Sequence, residues 1–142
     1  MFAIHVGLDW RTWSVACRSA NKSYDFGLQS DHALALKILS GEGIPSSEAA
    51  PYINASRTRL YEEVLASHNH HSTGIIGWKF LFEGLKGGGH EDTALAILEQ
   101  TDYPSIGHMF ANSLEPASEN LWELMDAFVE GIGMNSRNHH SE

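Results

Sequence analysis

The chain has 142 residues, of which 42% are hydrophobic and 19% charged. That balance argues against disorder and suits one domain burying roughly two-thirds of its surface. Its formal net charge is −9 with only nine Lys and Arg, which argues against nucleic acid or an anionic membrane as partner, because phosphate binding rests on basic side chains. A neutral substrate handled by carboxylates fits the charge better. Cys17 is the single cysteine, so no intrachain disulfide framework exists. The sequence shows no apolar run near the roughly 18 to 20 residues of a membrane span, and its start lacks the basic region of a secretory signal. The compartment stays undetermined. No cofactor is expected.

The first 23 residues match no pattern and stand as an unplaced segment. From residue 24 onward the chain reads as short helices separated by Gly, Pro and His turns. In "SDHALALKILSGEG", Ser30 or Asp31 is the expected N-cap, the apolar run ends at Leu39, and Gly41 stands where a left-handed C-cap belongs. In "PSSEAAPYINASRTRLYEEVLASH", Pro51 is expected at or near the start of the main helix. Ile53, Leu60, Tyr61, Val64 and Leu65 then share one side. The run "HNHH" that follows suggests metal, but His68, His70 and His71 lack the i, i+4 spacing that would put two ligands on one helix face. No metal site is expected.

"GIIGWKFLFEGLKGGG" carries Ile75, Ile76, Trp78, Phe80, Leu81, Phe82 and Leu85 around nearly its whole circumference. Such a helix needs cover on most sides, and an uncovered face would favour self-association or a complementing half-domain. "HEDTALAILEQ" opens with acids that suit a helix N-terminus. "TDYPSIGHMF" reads as a loop broken by Pro and Gly. No strand alternation persists, so the fold class is all-α, built from helical hairpins, with four or five helices.

"PASENLWELMDAFVEGIGMNSRNHH", residues 116–140, is the most specific stretch. Glu119, Glu123, Asp126 and Glu130 lie on one helical face, while Leu121, Trp122, Met125, Phe128 and Val129 make the opposite one. By periodicity alone this is an amphipathic helix with a solvated acidic stripe. Trp122 beside Glu123 is also a sugar-site arrangement, the ring taking the apolar face and the acid the hydroxyls. The loop after it is rich in amide, hydroxyl and imidazole groups able to orient a ligand.

Five blocks in order, "YDFGLQSDHALAL", "HHSTGIIGWKFLFEGL", "ALAILEQTDYPSIGHMF", "ENLWELMDAF" and "GMNSRNHH", resemble the catalytic domain of the α-L-rhamnosidases of glycoside hydrolase family 78. The resemblance covers residues 24–142, as the C-terminal portion of an (α/α)6 six-hairpin glycosidase domain. Gln29 falls on the Gln of the family's first block, with Ser30 in place of Thr. His70, Thr73 and Gly74 fall on the second block, with Ser72 in place of its first Thr. Tyr103, Pro104, Ser105, Gly107 and Met109 fall on its Tyr-Pro-Ser loop. Trp122 and Glu123 fall on its Trp-Glu pair, and His139 on its final Asn-His turn.

The resemblance implies that Glu123 is the general base of an inverting hydrolysis of terminal α-L-rhamnosides, and that His139, Trp122 and His70 contact the sugar. In that chemistry a second, protonated carboxyl stands about 6.5–9.5 Å away and donates to the leaving oxygen. The family's general acid lies in an upstream acidic, Trp-containing segment for which "GLDWRTW" offers no counterpart. A full six-hairpin barrel has about twelve helices, and this chain supplies about five. The expectation is therefore a partial domain, incomplete alone. The alternative is a non-catalytic carbohydrate-binding or assembly fragment of the same fold.

Overall fold

The computed structural model describes residues 28–41 and 45–111. Five α-helices occupy them, with no strand among the described residues: α1 (Gln29–Leu39), α2 (Ser46–Ala66), α3 (Ile75–Gly87), α4 (Glu91–Leu98) and α5 (Ile106–Ala111). α1 packs on α2 and α3, α3 also on α2, and α4 on α3. Direction follows from neighbours. Near its start α1 sets Ser30 beside Gly77 at the start of α3, and further along it Leu36 lies beside Gly84 and Lys37 beside Glu83. The two helices therefore run side by side in one direction, while α2, joined to each by a short connection, runs back against both.

The apolar positions at helical spacing meet in one cluster of Ala33, Leu36, Leu60, Val64, Leu81, Leu85 and Ile97, with Ile53, Trp78, Phe80, Phe82 and Ala94 packed against it. Leu60, Val64 and Leu81 are fully excluded from solvent. Burial of such side chains contributes about 1.5–3 kcal/mol each, the main reason three helices hold together. Gly84 lets them approach. A Cβ there would sit 2.7 Å from Leu60 Cδ2 and 2.9 Å from Leu36 Cδ1. The helix gives up roughly 1 kcal/mol of intrinsic preference at this glycine in return for closer contact.

Several boundaries differ from the sequence expectation, each for a local reason. α1 starts at Gln29 with Leu28 as its N-cap and no side-chain cap, so neither Ser30 nor Asp31 caps it. The Gln29 side chain is tied into a neighbouring turn, which draws that residue into the helix. Its C-cap is Ser40, close to the bridge region, and Gly41 is not left-handed; that conformation falls on His68, Asn69 and Gly89 instead. α2 begins at Ser46 after Pro45, leaving Pro51 inside it. As the sixth residue of the helix, Pro51 lies past the four N–H groups that have no partner, so its missing N–H removes one bond from the first turns of the ladder.

Leu65 is 45% exposed, off the buried side of α2. On α3, the all-round apolarity leaves Ile76 73% exposed while Leu81 and Leu85 are buried. α4 carries Glu91 and Asp92 in its first turn, as its dipole favours. The loop "TDYPSIGHMF" becomes helical from Ile106. Ser105 supplies the cap: its Oγ accepts from the His108 N–H at 2.9 Å, and its carbonyl from the Met109 N–H at 3.2 Å.

Candidate functional site

One end of the helix layer collects the polar residues singled out in the sequence. The start of α1, the 67–74 turn between α2 and α3, and the 99–105 loop before α5 meet there. Gln29 organises the contact. It is 1% exposed, and its amide brackets the turn: Nε2 donates to the His70 carbonyl at 2.9 Å, while Oε1 accepts from the Ser72 N–H at 2.9 Å. Nε2 also lies 3.3 Å from Ser67 Oγ, whose hydroxyl donates to the Glu63 carbonyl at 2.8 Å. A buried amide is stable only when its donors and acceptor are met, and here one side chain satisfies two backbone groups of a turn that has no regular ladder. The turn needs that brace. His68 and Asn69 both have positive φ, 54° and 61°, a conformation that costs non-glycine residues energy.

His70 points from this turn to the loop. Its side chain is 15% exposed, Nε2 lies 3.5 Å from Asp102 Oδ1, and Nδ1 is 3.1 Å from the Pro104 carbonyl oxygen. Gln100 Nε2 reaches back to the His68 carbonyl at 3.3 Å. Asp102 is 74% exposed, and the exposed Tyr103 ring meets His108 edge-on at 5.4 Å. A carboxylate and an aromatic ring are thus presented side by side on a fastened loop.

His71 turns the opposite way, inward. It is 4% exposed and sits edge-on to Trp78 at 4.2 Å. Among the described residues neither ring nitrogen has a hydrogen-bond partner, nor does the nearby Thr73 Oγ1. Burial pushes the His71 pKa down to about 4; the Thr73 backbone opposes this without completing a bond of good geometry, and His70 adds a smaller push downward. His71 is therefore neutral at pH 7. His32 on α1 is also buried, and burial lowers its pKa against the upward pull of Asp31 and Glu63.

Gln29, His70, Thr73, Tyr103, Pro104, Ser105, Gly107 and Met109 thus gather at or beside one end of the layer. Trp122, Glu123 and His139 lie outside the described residues, as do the acidic stripe and its apolar face. The roles of Gln29 as brace and Asp102 as exposed carboxylate were not read from the sequence. Nothing in helical periodicity marks them, and only the order of the motif blocks hinted at Gln29. Among the described residues no group of three or more His, Cys, Asp or Glu is arranged to hold a metal. No helix there is long and apolar enough to cross a membrane.

Helical hairpins with polar turns gathered at one end define a partial (α/α)6 six-hairpin glycosidase fold. A family model described as the bacterial alpha-L-rhamnosidase 6 hairpin glycosidase domain matches residues 19–142, and the chain belongs to that family. It is similar to the crystal structure of Streptomyces avermitilis alpha-L-rhamnosidase complexed with L-rhamnose, with a TM-score of 0.71 and 28% identity. The match covers 91% of this chain and 12% of that one, so the chain spans about an eighth of the enzyme it resembles. No curated protein matches the chain.

Proposed function

We propose that residues 24–142 are the C-terminal portion of an α-L-rhamnosidase catalytic domain, acting on terminal α-L-rhamnosides by inversion, with Glu123 as general base. The observation that carries this reading is the likeness of 91% of the chain to an enzyme described with L-rhamnose bound, supported by the family match through residue 142. In this reading Glu123 accepts a proton from water as that water attacks the anomeric carbon. Trp122 offers its ring to the apolar face of the sugar, and His139 hydrogen-bonds a hydroxyl. The proton for the leaving oxygen comes from a carboxyl that the chain does not supply in recognisable form, so turnover of ordinary glycosides needs a complementing half-domain. Sugar binding without turnover is the second reading, favoured by that same missing acid.

The test is hydrolysis of an aryl α-L-rhamnoside bearing a good leaving group, by the chain and by Glu123→Gln. Such a leaving group needs little protonation, so a site with only its base has its best chance there. Slow turnover abolished by Glu123→Gln is the expected result. Turnover that survives the substitution removes Glu123 from the mechanism. Saturable L-rhamnose binding with no turnover by either protein selects the second reading.

A further inference from the structure

His70 matches the family's second motif block, yet its surroundings engage both ring nitrogens with protein. A carbonyl oxygen only accepts, so the bond to Pro104 at 3.1 Å requires the proton on Nδ1. Nε2 faces Asp102 at 3.5 Å, but that carboxylate is largely in water, where such a pair contributes little. The Nδ1 bond is the one that holds. On its near side His70 is anchored: the Gln29 amide grips its carbonyl and the N–H of Ser72, fixing the turn to α1. On its far side is the loop whose next residue, Ser105, caps α5.

We infer that His70 is a positioning residue rather than a sugar contact, its Nδ1–H fixing the Pro104 carbonyl and so holding the 100–105 loop that presents Asp102 and Tyr103. The claim that this presentation serves a sugar rests on the proposed function. The fastening itself does not.

Two isosteric variants of the full chain separate the nitrogens, because the Asn side-chain nitrogen falls where Nδ1 lies and that of Gln where Nε2 lies. The readout is amide hydrogen exchange at His108 and Met109, whose N–H groups bond Ser105, with Leu60 and Leu81 as core references. The imidazole nitrogen shifts of His70 report its tautomer. Expected are a protonated Nδ1, His70→Asn within about twofold of the parent, and His70→Gln exchanging roughly three- to tenfold faster at His108 and Met109 alone, the effect of one lost hydrogen bond. Protection kept by Gln and lost by Asn would overturn the inference, as would loss in both or in neither. Acceleration spread equally to Leu60 and Leu81 would also overturn it, marking His70 as a general stabiliser. L-rhamnose binding is measured in parallel. If the parent chain binds none, the proposed function fails while the exchange result still decides the role of His70.

Discussion

Lowering the pH from 7 to 4 will destabilise this protein through His71, and the size of the effect can be worked from its surroundings. The imidazole is 4% exposed, edge-on to Trp78, with no hydrogen-bond partner at either nitrogen among the described residues. Its pKa falls from 6.5 to about 4. The unfolded chain binds a proton at this residue as pH drops through 6.5, while the folded chain does so only near 4. Between those values the unfolded state holds more protons, so stability is lost as pH falls. Above about 7 and below about 4 the residue adds no slope. A shift of this size corresponds to about 3 kcal/mol, a large part of the roughly 5–15 kcal/mol that holds a typical domain together.

The chain has nine histidines, so the parent's pH profile alone does not isolate one of them. The difference between parent and His71→Phe does. Phe keeps a flat ring against Trp78 and removes both unpartnered nitrogens, so at pH 7 the variant should match the parent or exceed it by about 1 kcal/mol. Urea unfolding of both proteins at pH 7, 6, 5 and 4 should show the gap widening in favour of His71→Phe by about 3 kcal/mol, most of it between pH 6 and 4. His32, depressed in the same direction by burial, contributes to both proteins and cancels. A gap that stays constant across this range would refute the reasoning, because it would mean that His71 binds protons equally in the folded and unfolded chains.

Two further predictions concern the end that carries the candidate site. Gln29→Ala orphans the His70 carbonyl and the Ser72 N–H at once, so it should cost about 2–4 kcal/mol in thermal or urea unfolding. Gln29→Glu does not fully recover that loss, because a carboxylate can accept from the Ser72 N–H but cannot donate to the carbonyl. Gly107→Ala places a Cβ into the Gln100 carbonyl oxygen and 3.0 Å from Thr101 Cα; backbone on the receiving side cannot rotate away, so a loss of about 1–3 kcal/mol and faster exchange at Met109 are expected. Gly74→Ala meets nothing within 4 Å, so only the poorer N-cap it leaves on α3 acts there, and a loss of at most about 1 kcal/mol is expected in the same assay.

Much of the helical frame is legible in local sequence because helix formation and burial both follow the 3.6-residue period. Leu36, Leu60, Val64, Leu81 and Leu85 repeat at that spacing and are the residues that meet in the core. The order of five short blocks carries the family, since each block is a turn chemistry that periodicity alone does not interpret. Helix ends are a different matter. Ser30 and Asp31 are good caps by residue type, yet α1 starts before both, because Gln29 finds partners 41 and 43 residues away. Ser105, within a stretch that reads as a loop, caps a helix instead.

What the sequence determined by itself is the all-α class, most of the core on α2 and α3 and the family, properties set by local spacing and motif order; Leu65 and Ile76, apolar by the same spacing, lie exposed. What only the tertiary structure decided is which polar residues serve each other. His70 and His71 are neighbours in a polar run with no pattern to separate them. One reaches the loop carbonyl of Pro104, and the other is sealed against Trp78 with its pKa driven down. The backbone of the turn sends adjacent side chains to opposite surroundings, and hydrogen bonding and desolvation depend on those surroundings rather than on the residue type.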